Sequence, residues 1–230
     1  MTNPTYNTDA VLRVADTKLV LGNVCIATVF NGRSIGDFAT LLAISGTALG
    51  AARALYRLLE QGGSDYGWLE HGRDASEIAS AEVLDSAPES WADLMVTIYL
   101  TEAITSAAAA DWQSEADPLL ANQARMIARD SAFHSAYCLG WLKIELEEKP
   151  DTVRSAFVAR MAQAMRWIKQ CAPSAEARFL ADVAHLLDLL NESVPTVTAS
   201  ALWDKRLGRS APVPSGLWEI VRFKDVELAR

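Results

Sequence analysis

The sequence predicts an all-α protein, a four-helix bundle with one long crossover and C-terminal accessory helices. Three observations lead there. Apolar residues recur at intervals of three and four along most of the 230 residues, which is the period of a helix and not of a strand. Glycine and proline fall at widely separated places, so the stretches between them are long. Those stretches come as two long helices, a crossing, two more long helices and a tail of shorter elements, the layout of a bundle with a single crossover. The whole of 1–230 reads as one domain, with a bundle core at about 9–170 and a helical cover at 171–230. No internal repeat of solenoid length is present.

The first helix is expected over 9–31, with Thr8 as its cap and Asp9 in its first turn, where a carboxylate suits the helix dipole. Its run from Leu19 to Phe30 is uncharged, as a central helix requires. The clearest helix is 38–60, in which Phe38, Leu41, Ser45, Leu49, Ala52, Leu55 and Leu59 track one face before Gln61-Gly62-Gly63 ends it. Segment 61–88 is rich in Gly, Ser, Asp and Glu and reads as a surface crossing with one short helix at 74–83. Helix 89–113 stops before Asp117-Pro118, and that proline suits the first turn of a long helix over 117–147. Asp151 is expected to cap 152–170 and Ser174 to cap 175–191. The tail 195–230 carries three prolines and room for two short helices, and Pro212 and Pro214 mark 208–216 as an ordered crossing.

Composition excludes several classes of function. Half of the residues are hydrophobic and 22% are charged, which supplies one sizeable core and is too apolar for a disordered chain. A net charge of −8 without any basic stripe argues against nucleic acid as a partner. The longest uncharged runs, 19–32 and 38–52, fall short of the roughly 20 apolar residues of a bilayer span, so no membrane is expected. The N-terminal residues lack the basic start and apolar stretch of a signal peptide, which places the chain in the cytoplasm. Cys25, Cys138 and Cys171 are far apart and lack Cys-x-x-Cys spacing, so they read as buried thiols rather than disulfides or zinc ligands.

A helical bundle builds reactive centres from acids and histidines on its inward stripes. Of the three histidines, His71 lies in a charged loop and His185 on a late helix, whereas Ile127, Asp130, His134, Cys138 and Trp141 share one face of 117–147. On the preceding helix Leu94, Ile98, Glu102, Thr105 and Ala109 form a stripe with one acid in it. Glu102, Asp130 and His134 are therefore the candidate polar cluster. Taken alone, the pattern fits a hydrogen-bonded pair that holds two helices in register as well as it fits a metal site.

Two blocks of sequence add a family likeness. LVLGNVCIATVFNGRSIGDFATLLAISGTALGAARALYRLL resembles the first helix pair of the ring-epoxidising phenylacetyl-CoA monooxygenase family. WADLMVTIYLTEAITSAAAADW is similar to that family's third helix and ARMIARDSAFHSAYCLGWLKIE to its fourth, so the likeness spans about residues 10–170. It implies a ferritin-like fold in one of two versions. One version is a catalytic subunit whose di-iron site uses O₂ to epoxidise the ring of a CoA thioester; the other is a partner subunit of the same fold with few or no working ligands. Carried over one at a time, the ligand positions of the first two helices fall on Ala27, Ala48 and Ala51, and those of the third and fourth on Glu102, Asp130 and His134. An alanine methyl binds no iron.

The resemblance thus implies a non-catalytic subunit with a degenerate di-iron site. No cofactor is expected in this chain, with a single metal on Glu102, Asp130 and His134 as the exception. Its partner is a homologous catalytic di-iron subunit, or further copies of itself, in a complex acting on an aromatic or acyl-CoA-type substrate. A competing reading makes the chain a stand-alone enzyme whose altered site at Glu102, Asp130 and His134 works as an acid/base cluster or holds one metal. The small residues Ala27, Gly36, Ala39, Ala43, Gly46, Gly50 and Ala51 are expected either to let the first two helices approach closely or to leave an apolar pocket between them.

Overall fold

The computed structural model describes residues 6–198 and 200–221. It is all-α, and among the described residues the only extended pairing is an isolated bridge between Asp204 and Arg209. Helix α1 (Thr8–Ala27) and helix α2 (Ile35–Gln61) form an antiparallel hairpin, followed by the crossover, helix α3 (Trp91–Ala109) and helix α4 (Pro118–Glu148). Helices α5 (Pro150–Cys171), α6 (Glu176–Leu190) and α7 (Ser215–Val221) complete the chain. Contacts of α1 with α2 and α3, and of α4 with α2 and α3, close the four-helix bundle, while α5 and α6 cover the far side of α3 and α7 lies on α1. Helix α3 is consequently enclosed all round, and even Asp93 and Glu102 are buried on it.

The caps explain where the helices start. Asn7, not Thr8, caps α1 by accepting from the Ala10 amide, and Ser34 caps α2 three residues ahead of the expected start by accepting from the Asp37 amide. Ser90 and Asp117 cap α3 and α4 in the same way. Helix α1 ends at Ala27, where Thr28 leaves the helical conformation with its hydroxyl on the Val24 carbonyl, and a 3₁₀ turn (Val29–Asn31) follows. Asp151 does not cap α5, which starts at Pro150, and Ser174 does not cap α6; its hydroxyl donates to Asp111 instead. In the tail, α7 is one short helix, and any second helix in 222–230 lies outside the described residues.

Between α1 and α2 the close approach comes from Gly22 and Ser45. The Ser45 hydroxyl donates to the Gly22 carbonyl at 2.8 Å, and a Cβ on Gly22 would stand 2.7 Å from Leu49 Cγ. Five of the seven small residues expected to serve this contact do not. Gly36, Ala39, Ala43, Gly46 and Gly50 lie on the exposed face of α2, and a Cβ on Gly46 or Gly50 would meet nothing within 4 Å. By length and apolar composition alone α2 would suit a bilayer, yet only 39% of its most apolar stretch is buried in this fold. Much of its apolarity is spent on an outward face.

The crossover forms no helix at 74–83. One turn stands at Trp68–Gly72, a hydrogen-bonded turn at 74–77 and a 3₁₀ turn at Glu82–Leu84, with no helix between because α1 captures the backbone of 78–81. Buried Asp16 accepts from both terminal nitrogens of Arg73 (2.7 and 2.6 Å), from the Tyr56 hydroxyl (2.6 Å) and from the Ala79 amide (2.6 Å), while the Thr17 hydroxyl accepts from the Ala81 amide (3.0 Å). The tail locks onto the same segment. Arg209 is bidentate on Asp85 and reaches the Ser80 carbonyl, and the Val213 amide donates to Ala75. At Gly208, where φ is +71°, a Cβ would stand 2.6 Å from both Arg13 Cδ and Cys171 Sγ, so only glycine passes.

Removing one member of a buried ion pair leaves the other charge without a partner and costs about 3–5 kcal/mol. Asp16→Asn is therefore expected to lower the unfolding free energy by about that amount in urea titrations and to speed tryptic cleavage within 62–90. A loss below about 1 kcal/mol, the scale of an exposed ion pair, would show that the crossover does not depend on this carboxylate.

Candidate functional site

At mid-bundle, each of the four helices sends a polar side chain to one point. Lys18 comes from α1, Thr47 from α2, Glu102 from α3, and Ser131 and His134 from α4. Lys18 follows Val14 by four residues and precedes Leu21 and Cys25 by three and seven, so it shares the inward face of α1 with buried neighbours. Glu102 occupies the matching place on α3 and is fully buried. The Lys18 ammonium donates to Glu102 Oε2 at 2.5 Å, and the Ser131 hydroxyl donates to the same oxygen. His134 Nδ1 lies 2.9 Å from Oε1, and its Nε2 lies 3.2 Å from the Thr47 hydroxyl. A carboxylate only accepts, so the proton between them belongs to Nδ1.

Burial by itself raises the pKa of Glu102, but the adjacent Lys18 charge and the His134 bond outweigh it and hold the carboxyl at about 2. Glu102 is therefore ionised and its charge is balanced inside the protein. The two neighbouring thiols behave oppositely. Burial, and for both also the Glu102 charge, push Cys25 and Cys138 up, so each stays a protonated thiol, and a thiol is a poor metal ligand compared with a thiolate.

The structure brings Glu102 and His134 together but not Asp130. Asp130 lies to one side of α4, with Oδ1 accepting from its neighbour Arg129 at 2.9 and 2.8 Å, and Ser131 takes the inward place instead. The residues carried over from the family likeness also separate. Ala48 and Ala51 are buried in α2, but Ala27 is exposed at the end of α1, where an acid would face solvent. The α1 residue that faces Glu102 is Lys18, and the α2 residue that reaches the cluster is Thr47. Both escaped sequence reasoning, as did Ser131; the available signal was the position of Lys18 within an apolar stripe.

A di-iron centre, or one metal, needs several free anionic or imidazole donors at a common point. This cluster does not fit that need. Both oxygens of its one carboxylate are engaged, its one imidazole is bonded at both nitrogens, and among the described residues no group of three or more His, Cys, Asp and Glu side chains is placed to hold a metal. Of the cluster, only Ser131 lines either of two surface recesses. The larger, about 310 Å³ between α3, α4 and α6, touches Tyr99, Ser106, Ser131, Ser135 and Asp182 and reaches the cluster only through Ser131. The smaller, about 240 Å³, lies beside Thr28, Ser90 and Trp91.

A second polar knot fixes the end of the bundle near the α1–α2 turn. Asp37 accepts from the Tyr137 hydroxyl (2.5 Å) and the Trp141 indole (2.9 Å), and these bonds hold its carboxyl below the usual range against the opposing effect of burial. Arg33 lies over the Trp141 ring and pairs with buried Glu145.

Among known proteins, the family described as Phenylacetic acid catabolic protein matches residues 2–171. That span takes in the bundle from α1 to the end of α5. No curated protein matches the sequence.

The depressed pKa of Glu102 ties stability to pH. A carboxyl that titrates near 4.5 when unfolded and at about 2 when folded contributes about 3 kcal/mol above pH 4.5, and this is lost as pH falls toward 2. Glu102→Gln is expected to be less stable than the unsubstituted protein at pH 7, with the gap narrowing between pH 4.5 and 3 in urea titrations. A gap that stays constant over that range would detach Glu102 from the acid dependence.

Proposed function

The chain belongs to the phenylacetic acid catabolic protein family, and on that premise we propose that it is the non-catalytic, ferritin-like subunit of a multicomponent monooxygenase. In this role it pairs with a homologous catalytic di-iron subunit and supports it, while the oxygen chemistry takes place on the partner's aromatic or acyl-CoA-type substrate. The observation that carries the reading is the cluster itself. Its one carboxylate and one imidazole are engaged by each other and by Lys18, Ser131 and Thr47, which leaves the cluster without a free donor for an O₂-activating metal.

A supporting subunit also needs a surface to offer, and one is available on the α2–α4 side. Ile35, Leu42, Met126 and Phe133 are exposed, Phe133 by 71%, beside the open positions Gly46, Gly50 and Gly140. Glycine inside a helix costs about 1 kcal/mol relative to alanine, and among the described residues nothing stands within 4 Å of a Cβ placed on any of these three. A neighbouring helix laid across the face would need them small. Exposed apolar side chains on neighbouring helices of this kind suit an interaction site.

Co-expressed with the catalytic homologue from the same source, the protein is expected to elute with it as one complex on a sizing column at micromolar concentration. The double substitution Leu42→Glu and Phe133→Glu should split the complex while moving the melting temperature by no more than about 2 °C, as for other surface changes. Separate elution of the two unsubstituted chains would overturn the proposal.

A further inference from the structure

We infer that Lys18 stands in for a metal: its ammonium is the resident cation of this bundle, and its presence keeps divalent ions out of the core. Three observations carry this. Lys18 and Glu102 are both buried, from opposite helices, with Nζ 2.5 Å from Oε2, so the ammonium lies where an ion bound by Glu102 would have to lie. The remaining donors are closed around the same pair, with Ser131 on the shared oxygen and His134 on the other. A divalent ion brought to Glu102 and His134 would sit within a few ångströms of a fixed positive charge in a medium that screens poorly. The family likeness leads one to expect metal at this depth of the fold, and the protein supplies a covalently attached cation there.

The substitution also explains how the bundle keeps a buried carboxylate with no metal to balance it. In a core where Cys25 and Cys138 are protonated and uncharged, Lys18 is the charge opposite Glu102. This inference rests on the cluster and not on the pairing with a catalytic subunit, so it is read on the isolated chain.

The test is cobalt(II) binding to the full-length protein and to two variants, Lys18→Glu and Lys18→Met. Lys18→Glu replaces the ammonium by a second carboxylate beside Glu102 and His134, a donor set that suits first-row metals. It is expected to retain about one cobalt per chain after dialysis, to show visible cobalt absorption, and to melt at least about 5 °C higher with cobalt than without, as ligand linkage requires. Lys18→Met removes the cation without adding a donor and is expected to bind cobalt at least about tenfold more tightly than the parent, which serves as the readout if Lys18→Glu folds poorly. The unsubstituted protein should retain under about 0.1 equivalent and show no cobalt-dependent melting shift. Further replacement of His134 by alanine should abolish the gained binding. Stoichiometric cobalt in the unsubstituted protein, or no gain in either Lys18 variant, would overturn the inference.

Discussion

A carboxylate at full burial is tolerable only beside a positive charge, and Glu102 sits at the centre of α3, which α1, α4, α5 and α6 all pack against. The Lys18–Glu102 pair is thus the constraint around which the bundle is arranged. It fixes the rotation of α1 against α3, because turning α1 by one residue would swing the ammonium about 100° off the inward face. Through Ser131 and His134 it fixes α4, and through Thr47 it fixes α2. Apolar packing supplies most of the stability of such a core but little register, since Leu and Ala surfaces slide over one another with small penalties. A single ionic point shared by four helices restricts that freedom.

The same logic recurs at the periphery, where each buried charge ties down a segment outside the bundle. Asp16 holds the crossover through Arg73, Asp93 at the start of α3 takes Arg160 of α5 at 2.9 Å through two nitrogens, and Arg209 of the tail takes Asp85 of the crossover. In each case a guanidinium does the bridging. Its five donors satisfy a carboxylate and one or more backbone carbonyls at once, as Arg160 does with Val83 and Ser86. Long irregular segments have backbone groups to satisfy, and arginine supplies that more fully than lysine. At the centre, where the partner is one carboxylate among hydroxyls, the compact ammonium fits.

Much of this architecture was legible in the sequence, and the failures share a cause. The long helices and the crossover followed from periodicity and from Gly and Pro placement, which are local properties. Cap choices were less secure because adjacent residues such as Asn7 and Thr8 both carry a capping oxygen. The absent helix at 74–83 was unreadable because α1 decides it from sixty residues away. At the site, Glu102 and His134 stood out on apolar stripes, but Asp130 shares their spacing only loosely, and Ser131 beside it has the inward direction. Lys18 was overlooked for a statistical reason: lysine is almost never fully buried unless paired, and the sequence holds no record of which helix faces it.

The glycines and alanines of α2 show a further limit, because a small residue carries no sign of direction. The run from Ile35 to Gly50 is apolar on both sides, so periodicity located the helix without saying which side the core takes. The buried residues Leu41, Ile44, Ser45 and Ala48 answer that, and they leave Ala39, Ala43, Gly46 and Gly50 facing out. Small outward residues contribute nothing to this chain's own packing and expose backbone to water at some cost in helix stability. In the proposed supporting role they would let another helix lie close to the backbone, just as Gly22 does between α1 and α2. One bundle thus shows both uses of glycine in a helix: an inner contact that the fold completes, and an outer one that it leaves open on the side where the cluster, reached through Thr47 and His134, lies one helix layer below the surface.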